Sequence, residues 1–331
     1  MCDDCHTIDR RTYLTAAGVG ATALLAGCSG AGVQREFDPI PGNAQGPAIP
    51  ETGYLVDQIG PRLHVIMDGT YQVVFLDTDE GVVLLDAPPS LGDKIQQGIA
   101  EVTDRPVTHF IYSHAHNDHV GNAAAFAGAT YIGNERTAAL LDRYDDPNRP
   151  VPDETWDEEE ELEIGGHTIQ LSYRGQSHSD DTTYTYFEGQ RALVVIDIVY
   201  PGWVPFQGFA AYVPGFVDAH DHILAYEFDT FVGGHLTRLG TREDVRVQKQ
   251  YVGDVFDAVR AAAREVSFAE ATEGVNPADR WASTGAYFDA VTENAVGRVV
   301  PAWEDRLGGV AAFAPSHCAA AFRAVRVDYG R

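Results

Sequence analysis

"SHAHNDHVGN", residues 113–122, sets three histidines and an aspartate within six positions, between the run VTHFIY (107–112) and a stretch of small residues. The run before it has the length and the β-branched and aromatic content of a strand. The cluster is therefore expected in the loop leaving a strand, where open α/β folds keep their chemistry. His114 and His116 are two apart, so an extended loop projects both rings to one side, while Asp118 and His119 turn onto the start of the next helix. One ion does not comfortably take all four, and the pattern points to two adjacent metals that each need ligands from elsewhere in the chain.

The neighbouring sequence supplies the frame. Short β-branched runs surround the turn signal at Asp77–Gly81, so 63–86 is expected as paired strands. LGDKIQQGIAEV has helical spacing, and the strand 107–112 follows it. Strand and helix patterns then recur: TYIG, NERTAALLDRY, HTIQLSY, TTYTYF and RALVVID. This alternation argues an α/β domain with mixed sheets. After about residue 241 the pattern turns helical, in segments broken near Gly274–Pro277 and near Pro301. A helical C-terminal region over 251–331 is expected, the fold's own last helix followed by a helical appendage that either covers the site or pairs subunits.

Three further motifs follow the histidine cluster in order. GQSHSDDTTYTYF supplies His178 just before a strand, ALVVIDIVYPGW places Asp197 at the end of the next, and FDTFVGGHLTRLGTREDV places His235 after a glycine pair. His-x-His-x-Asp-His after an apolar strand, with these later motifs, resembles the metallo-β-lactamase-fold hydrolases over most of 60–250. The resemblance implies an αββα sandwich, two mixed β-sheets flanked by helices, over a domain at 54–250. It also implies that His114, His116 and His178 hold a first metal, Asp118, His119 and His235 a second, and Asp197 both. Asp118 is in addition the candidate catalytic carboxylate. The sequence departs from the family in carrying Gln176-Ser177-His178 where Gly-His-Thr is usual.

Histidine and carboxylate ligands suit Zn²⁺, and two such ions sharing a water lower its pKa toward neutrality, which makes a nucleophile without serine or cysteine. Iron and manganese accept the same set. Aspartate at 197 in place of a thiolate points toward the glyoxalase-, lactonase- and esterase-like branches. The expected activity is hydrolysis of an ester, thioester, lactone or amide in a small-molecule substrate. The alternatives are an iron-dependent redox enzyme of the same fold and a non-catalytic metal-binding lipoprotein. Trp203, Phe206 and Phe209, in the Pro/Gly-rich loop after Asp197, are candidates for an apolar substrate wall, with packing of the loop as the other reading.

The remaining histidines are expected to be structural. His64, His109 and His167 fall in apparent strands. His220 and His222 fall in VDAHDHILAYEF, whose helical spacing sends residues two apart to different faces and argues against a shared metal. His317 lies in a C-terminal helical segment.

The chain of 331 residues carries a net charge of −26. Lys94 and Lys249 are the only lysines; every other cation is arginine. An acidic, arginine-biased surface of this kind is expected of adaptation to molar salt, where counterions screen self-repulsion. It also argues against nucleic acid as a partner, since no basic stripe meets the phosphates.

DRRTYLTAAGVGATALLAGCSG joins an arginine pair, Arg10 and Arg11, to an apolar stretch too short to span a bilayer and a Leu-Ala-Gly-Cys box ending at Cys28. It resembles a twin-arginine export signal at 1–27, with lipidation of Cys28, a flexible tether over 28–53, and an extracytoplasmic protein held to the membrane only by its lipid. CDDCH at 2–6 matches a haem-attachment pattern, but it precedes the expected cleavage point, so no haem is expected.

Overall fold

The computed structural model describes residues 40–329. Its first sheet runs in the order β1 (Leu55–Gly60), β2 (Leu63–Met67), β3 (Gln72–Thr78), β4 (Gly81–Leu85), β5 (Val107–Ile111), β6 (Thr130–Asn134) and β7 (Glu154–Trp156). The first four strands are antiparallel, while β4 to β7 pair in parallel. The parallel steps need crossovers, supplied by α1 (Lys94–Ala100), α2 (Asn117–Val120) and α3 (Glu135–Tyr144). The second sheet is ordered β12 (Thr230–Val232), β11 (Ala192–Val194), β10 (Thr183–Phe187), β9 (His167–Tyr173) and β8 (Glu159–Ile164).

Both faces of the central strands are apolar, and this sets the layering. Along β3, Val73 and Phe75 pack with Ile95 and Ile99 of α1, whereas Val74 and Leu76 join Ile169, Leu171 and Val194 of the other sheet. The second sheet's outer face carries Tyr184, Tyr186 and Leu193. These pack on α4 (Val213–Leu224), α5 (Arg242–Glu265), α7 (Arg280–Trp303) and α8 (Val310–Val327), with the short α6 (Phe268–Ala271) joining α5 to α7. The result is the expected αββα sandwich with C-terminal helices. Each fully buried aliphatic or aromatic side chain contributes about 1.5–3 kcal/mol to holding the layers together.

Two expected boundaries move. The limit placed at 250/251 falls inside α5, which is continuous from Arg242 to Glu265. Val252, Val255 and Val259 of α5 share one core with Phe216 of α4, Val291 of α7 and Phe322 of α8, so the C-terminal helices complete the sandwich instead of being appended to it. The stretch from 40 to 53, expected as tether, is largely exposed but is pinned to the domain at Asn43 and Ala44. Ala44 is buried and its carbonyl accepts a 2.8 Å hydrogen bond from Trp203 Nε1, while Asn43 Nδ2 donates to the Arg306 carbonyl at 3.0 Å. Arg10, Arg11, Cys28 and the start of the tether lie outside the described residues. The break expected near Pro301 falls just after it, between the end of α7 at Trp303 and the start of α8 at Val310.

WDEEEELE, legible as a solvated acidic run, forms part of β7 and the edge strand β8. Glu159, Glu160, Glu161 and Glu163 are exposed there while Ile164 is buried. Charges along an edge oppose strand pairing with another chain.

Candidate metal centre

The histidine loop leaves the end of β5 and is fixed by two buried carboxylates. Ser113 N donates to Asp86 Oδ1 at 2.9 Å, and Ala115 N donates to Asp181 Oδ2 at 2.8 Å. Asp181 also accepts from Thr137 Oγ1 and Ser179 Oγ, so α3 and the loop before β10 are tied to the same point. With its backbone held, the loop aims His114 inward. That ring is buried, its Nδ1 pairs with Ser113 Oγ at 2.9 Å, and its Nε2 has no hydrogen-bond partner.

The other histidine candidates gather beside it in two pairs. His116 Nδ1 and His178 Nε2 face each other at 3.0 Å. His119 Nε2 lies 3.2 Å from His235 Nε2, and His235 Nδ1 donates to the Thr70 carbonyl at 3.1 Å, which leaves its Nε2 free to ligate. Asp197 sits among them. Its Oδ2 is 3.1 Å from His178 Nε2, 3.1 Å from His119 Nε2 and 3.6 Å from His114 Nε2, and its Oδ1 is 2.7 Å from His235 Nε2. Two groups result, His114, His116, His178 and Asp197 in one and Asp118, His119 and His235 in the other, each with its ligand atoms within 4.8 Å of one another.

These groups fit metal ions. Tetrahedral ligation at zinc distances puts ligand atoms roughly 3.3 Å apart, near the separations around Asp197. The buried, unpartnered His114 Nε2 is an orphan that an ion satisfies. Burial, followed by the charges of His119 and His178, pushes the His114 ring well below its ordinary pKa and keeps it the neutral ligand that a metal requires. Burial, the largest influence on Asp197, opposes its ionisation. The His119 charge and hydrogen bonds from His119, His178 and His235 together still hold its carboxyl well below the usual range. The His/Asp cluster is able to bind metal ions.

Backbone geometry lets the loops meet. Asp197 occupies the left-handed region at φ 64°, where aspartate is tolerated better than most side chains. Gly234, at φ 89°, passes so close that a Cβ there would lie 2.8 Å from Ile196 and 3.3 Å from the His119 ring, so only glycine brings His235 to its place.

Residues that the sequence reading did not single out complete the site. Tyr200, buried beside Asp197, donates its hydroxyl to Oδ1 at 3.1 Å and stacks on His235 with ring centres 5.6 Å apart. Gln248 of α5 accepts from Tyr200 N at 2.9 Å and donates to the Ile198 carbonyl at 2.6 Å, clamping the Asp197 loop from both sides. Tyr71 packs on His119 and His235 and donates to Asp118 Oδ2 at 3.2 Å. Asp118 is 51% exposed and opens the centre to solvent. Asp86 did carry a signal, for VVLLD before it repeats the pattern of VVID before Asp197.

The aromatic loop after Asp197 is placed differently from the expected substrate wall. Phe209 is 4% exposed and stacks on His317 of α8 at 4.5 Å, so it belongs to the core. Positive φ angles at Gln207 and Phe209 turn the loop toward α8 and carry the ring inward. Trp203 packs on Gly308 and bonds Ala44. Phe206 is 58% exposed and meets Phe313 edge-on. No ring contact joins any of the three to a ligand histidine among the described residues; the aromatic neighbours of those histidines are Tyr71 and Tyr200. His220 and His222 both lie on α4, with His220 Nδ1 donating to the Phe216 carbonyl and its Nε2 accepting from Gln248 Nε2. That is a satisfied core histidine.

The model of the metallo-beta-lactamase superfamily matches residues 67–235, from the end of β2 to the last candidate ligand. The 2,4-dinitroanisole O-demethylase subunit alpha of Nocardioides sp. (strain JS1661) is 28% identical over 245 residues, covering 70% of this chain and 72% of the relative. The metallo-beta-lactamase type 2 of Elizabethkingia meningoseptica is 28% identical over 126 residues, 37% of this chain and 49% of that protein. Among solved structures, a metallo-beta-lactamase from Pontibacter korlensis aligns with a TM-score of 0.52 at 19% identity, covering 60% of this chain and 97% of the other. This last likeness is one of fold.

Proposed function

The chain belongs to the metallo-beta-lactamase superfamily, and on that premise we propose that it is a dinuclear metal-dependent hydrolase. The observation that carries the reading is the position of Asp197, whose two oxygens lie within 2.7–3.6 Å of histidine nitrogens from both ligand groups. His114, His116 and His178 would hold one ion and Asp118, His119 and His235 the other, with Asp197 available to both; zinc suits this set, and iron or manganese also fits it. Bound there, such a pair supplies Lewis acidity and activates water near neutral pH.

The chain's own groups do the rest. Tyr200 and Gln248 hold Asp197 in its left-handed conformation. Asp118, at the solvent side, is the carboxylate placed to take a proton from a reacting water, and the Tyr71 hydroxyl beside it orients that carboxylate. The substrate is a small molecule with an ester, thioester, lactone or amide bond. The relative's name, which specifies O-demethylation of an aryl methyl ether, favours C–O bonds within that range.

Elemental analysis joined to a panel of aryl esters, thioesters, lactones, β-lactams and aryl methyl ethers tests this. Two ions per chain and turnover that a chelator removes and added metal restores are expected. Turnover that consumes oxygen with bound iron overturns the hydrolytic reading in favour of a redox one.

The export reading is proposed with it: an extracytoplasmic protein, anchored to the cell membrane through lipid on Cys28. Among the described residues no helix is long and apolar enough to cross a membrane. Cys28→Ala is expected to leave the membrane fraction in detergent partitioning, because the lipid is then the sole anchor. A processed, exported variant that stays membrane-bound rules it out.

A further inference from the structure

The C-terminal helices form a cavity of about 630 Å³ away from the metal centre, where the end of α5, the start of α7 and the end of α8 meet. Phe268, Tyr287 and Phe322 give it apolar and aromatic walls, and Arg260, Arg264 and Arg326 give it three guanidinium groups. This is unusual company in a chain with 49 acidic and 23 basic residues. Elsewhere its arginines are largely engaged with carboxylates, as Arg62, Arg136, Arg191 and Arg238 are. Around this cavity two of the three are not. Neither Arg264 nor Arg326 has a carboxylate partner among the described residues. Arg326 lies over the rings of Phe288 and Phe322, and Arg260 keeps only the exposed Asp257 of its own helix, at 3.3 Å.

Arg264 and Arg326 keep their exposed guanidinium groups in solvent without a carboxylate partner, so an anion bound here displaces no internal ion pair. The walls, in turn, remain partly wet unless an apolar body covers them. One ligand class suits both features. We propose that this cavity binds a small amphiphilic carboxylate, with the carboxylate held in the guanidinium forks and an aromatic or medium-length acyl body against Phe268, Tyr287 and Phe322. Guanidinium matches a carboxylate bidentately, and each buried methylene adds about 0.8 kcal/mol. The volume is that of a small-molecule site, roughly 300–1,000 Å³. An inorganic anion leaves the aromatic walls uncovered. A neutral apolar molecule leaves the arginines unpaired.

The site is separate from the metal centre. Gln248, which clamps the Asp197 loop, and Arg264, at the cavity, are both on α5, and sixteen residues of helix put them about 24 Å apart along its axis. Variants at the cavity therefore leave the proposed chemistry in place, and failure of one reading does not entail failure of the other.

Titration calorimetry on the full, metal-loaded protein with sodium octanoate tests the proposal, with 1-octanol and sodium sulfate as probes of each half of the ligand. Octanoate is expected to bind at one site per chain, at least ~10-fold tighter than either control. Arg264→Gln with Arg326→Gln is expected to weaken it at least ~10-fold, the scale of lost charge-assisted hydrogen bonds, with metal content and circular dichroism unchanged. Thr284→Trp, which fills the cavity from α7 with every arginine in place, is expected to abolish binding and decides the matter alone if the double variant misfolds. The proposal is overturned if octanoate fails to bind, if its binding survives both variants, or if octanol or sulfate matches it. Sedimentation showing that a second copy of the chain occupies this face also overturns it.

Discussion

Asp86 closes the run VVLLD after β4 in the first sheet, and Asp197 closes VVID after β11 in the second. Both are buried, and both sit in the left-handed region, at φ 68° and 64°. Their surroundings separate them. Asp86 meets a backbone: its Oδ1 accepts from Ser113 N, its Oδ2 is buried without a hydrogen-bond partner, and burial pushes its carboxyl up to about 7. Asp197 meets four histidine rings and is held well below the usual range. The same strand-end geometry yields a structural peg in one sheet and a ligand in the other. What decides is the set of side chains that other loops deliver.

Removing the ligand is the severest way to test that contrast. Asp197→Ala is expected to keep its fold, since the side chain ends a strand at the site and fills no core space. It should lose metal and lower turnover by more than the ~100-fold that an outer-shell loss costs. Elemental analysis with circular dichroism reads both effects, and Asp197→Gly, free of any penalty at positive φ, separates the ligand from the backbone. A folded variant holding two ions removes Asp197 from the shared position.

Asp86→Ala is expected to do less to the metals and more to the fold. Ser113 N loses its acceptor inside the protein, a cost of about 1–3 kcal/mol. The loosened loop should then cost metal affinity about 10–100-fold. Asp86→Asn retains an acceptor and should recover most of both. If Asp86→Ala empties the centre as completely as Asp197→Ala, the two aspartates are not peg and ligand, and the contrast fails.

The histidine cluster and the order of the later ligands were legible because each stands at the end of an apolar run, and such runs are local patterns. The central strands were legible for the same reason. Asp181, Tyr200 and Gln248 were not: Gln248 reaches Tyr200 across 48 positions, and nothing near it in the chain marks it as a clamp. The edge strand β8 hid behind its acids, since one protected face is all that an edge strand needs. Residues 40–53 were expected as tether because glycine and proline suit a loose chain. Glycine equally permits close packing, and a Cβ at Gly46 would collide with Thr237. Composition does not separate these two uses.

Phe209 extends the comparison from carboxylates to aromatics, because it follows Asp197 in the chain yet packs on α8 instead of on the centre. Phe209→Ala is expected to cost about 3–5 kcal/mol of stability through the cavity it leaves. The KM of the folded protein should stay near that of the parent. Denaturant melts and steady-state kinetics read the two separately. A large rise in KM without loss of stability returns Phe209 to a substrate wall.

The smallest effect is expected from salt, and it divides the buried carboxylates from the exposed ones. Asp86 and Asp197 are out of reach of mobile ions, whereas Glu159, Glu160, Glu161 and Glu163 stand in solvent on β8. Raising KCl from about 0.1 M to about 1 M shortens the screening length from ~10 Å to ~3 Å. Repulsion within a chain of net charge −26 then falls, and the folded state, which crowds those charges, gains stability. A rise in Tm of a few degrees is expected, with metal content constant over the range, because the charges being screened are not the ones that ligate. A flat Tm would leave the acidic surface without a role in salt adaptation. Loss of metal at high KCl would show that ions reach the centre, and the division between buried and exposed carboxylates would have to be redrawn around the half-exposed Asp118.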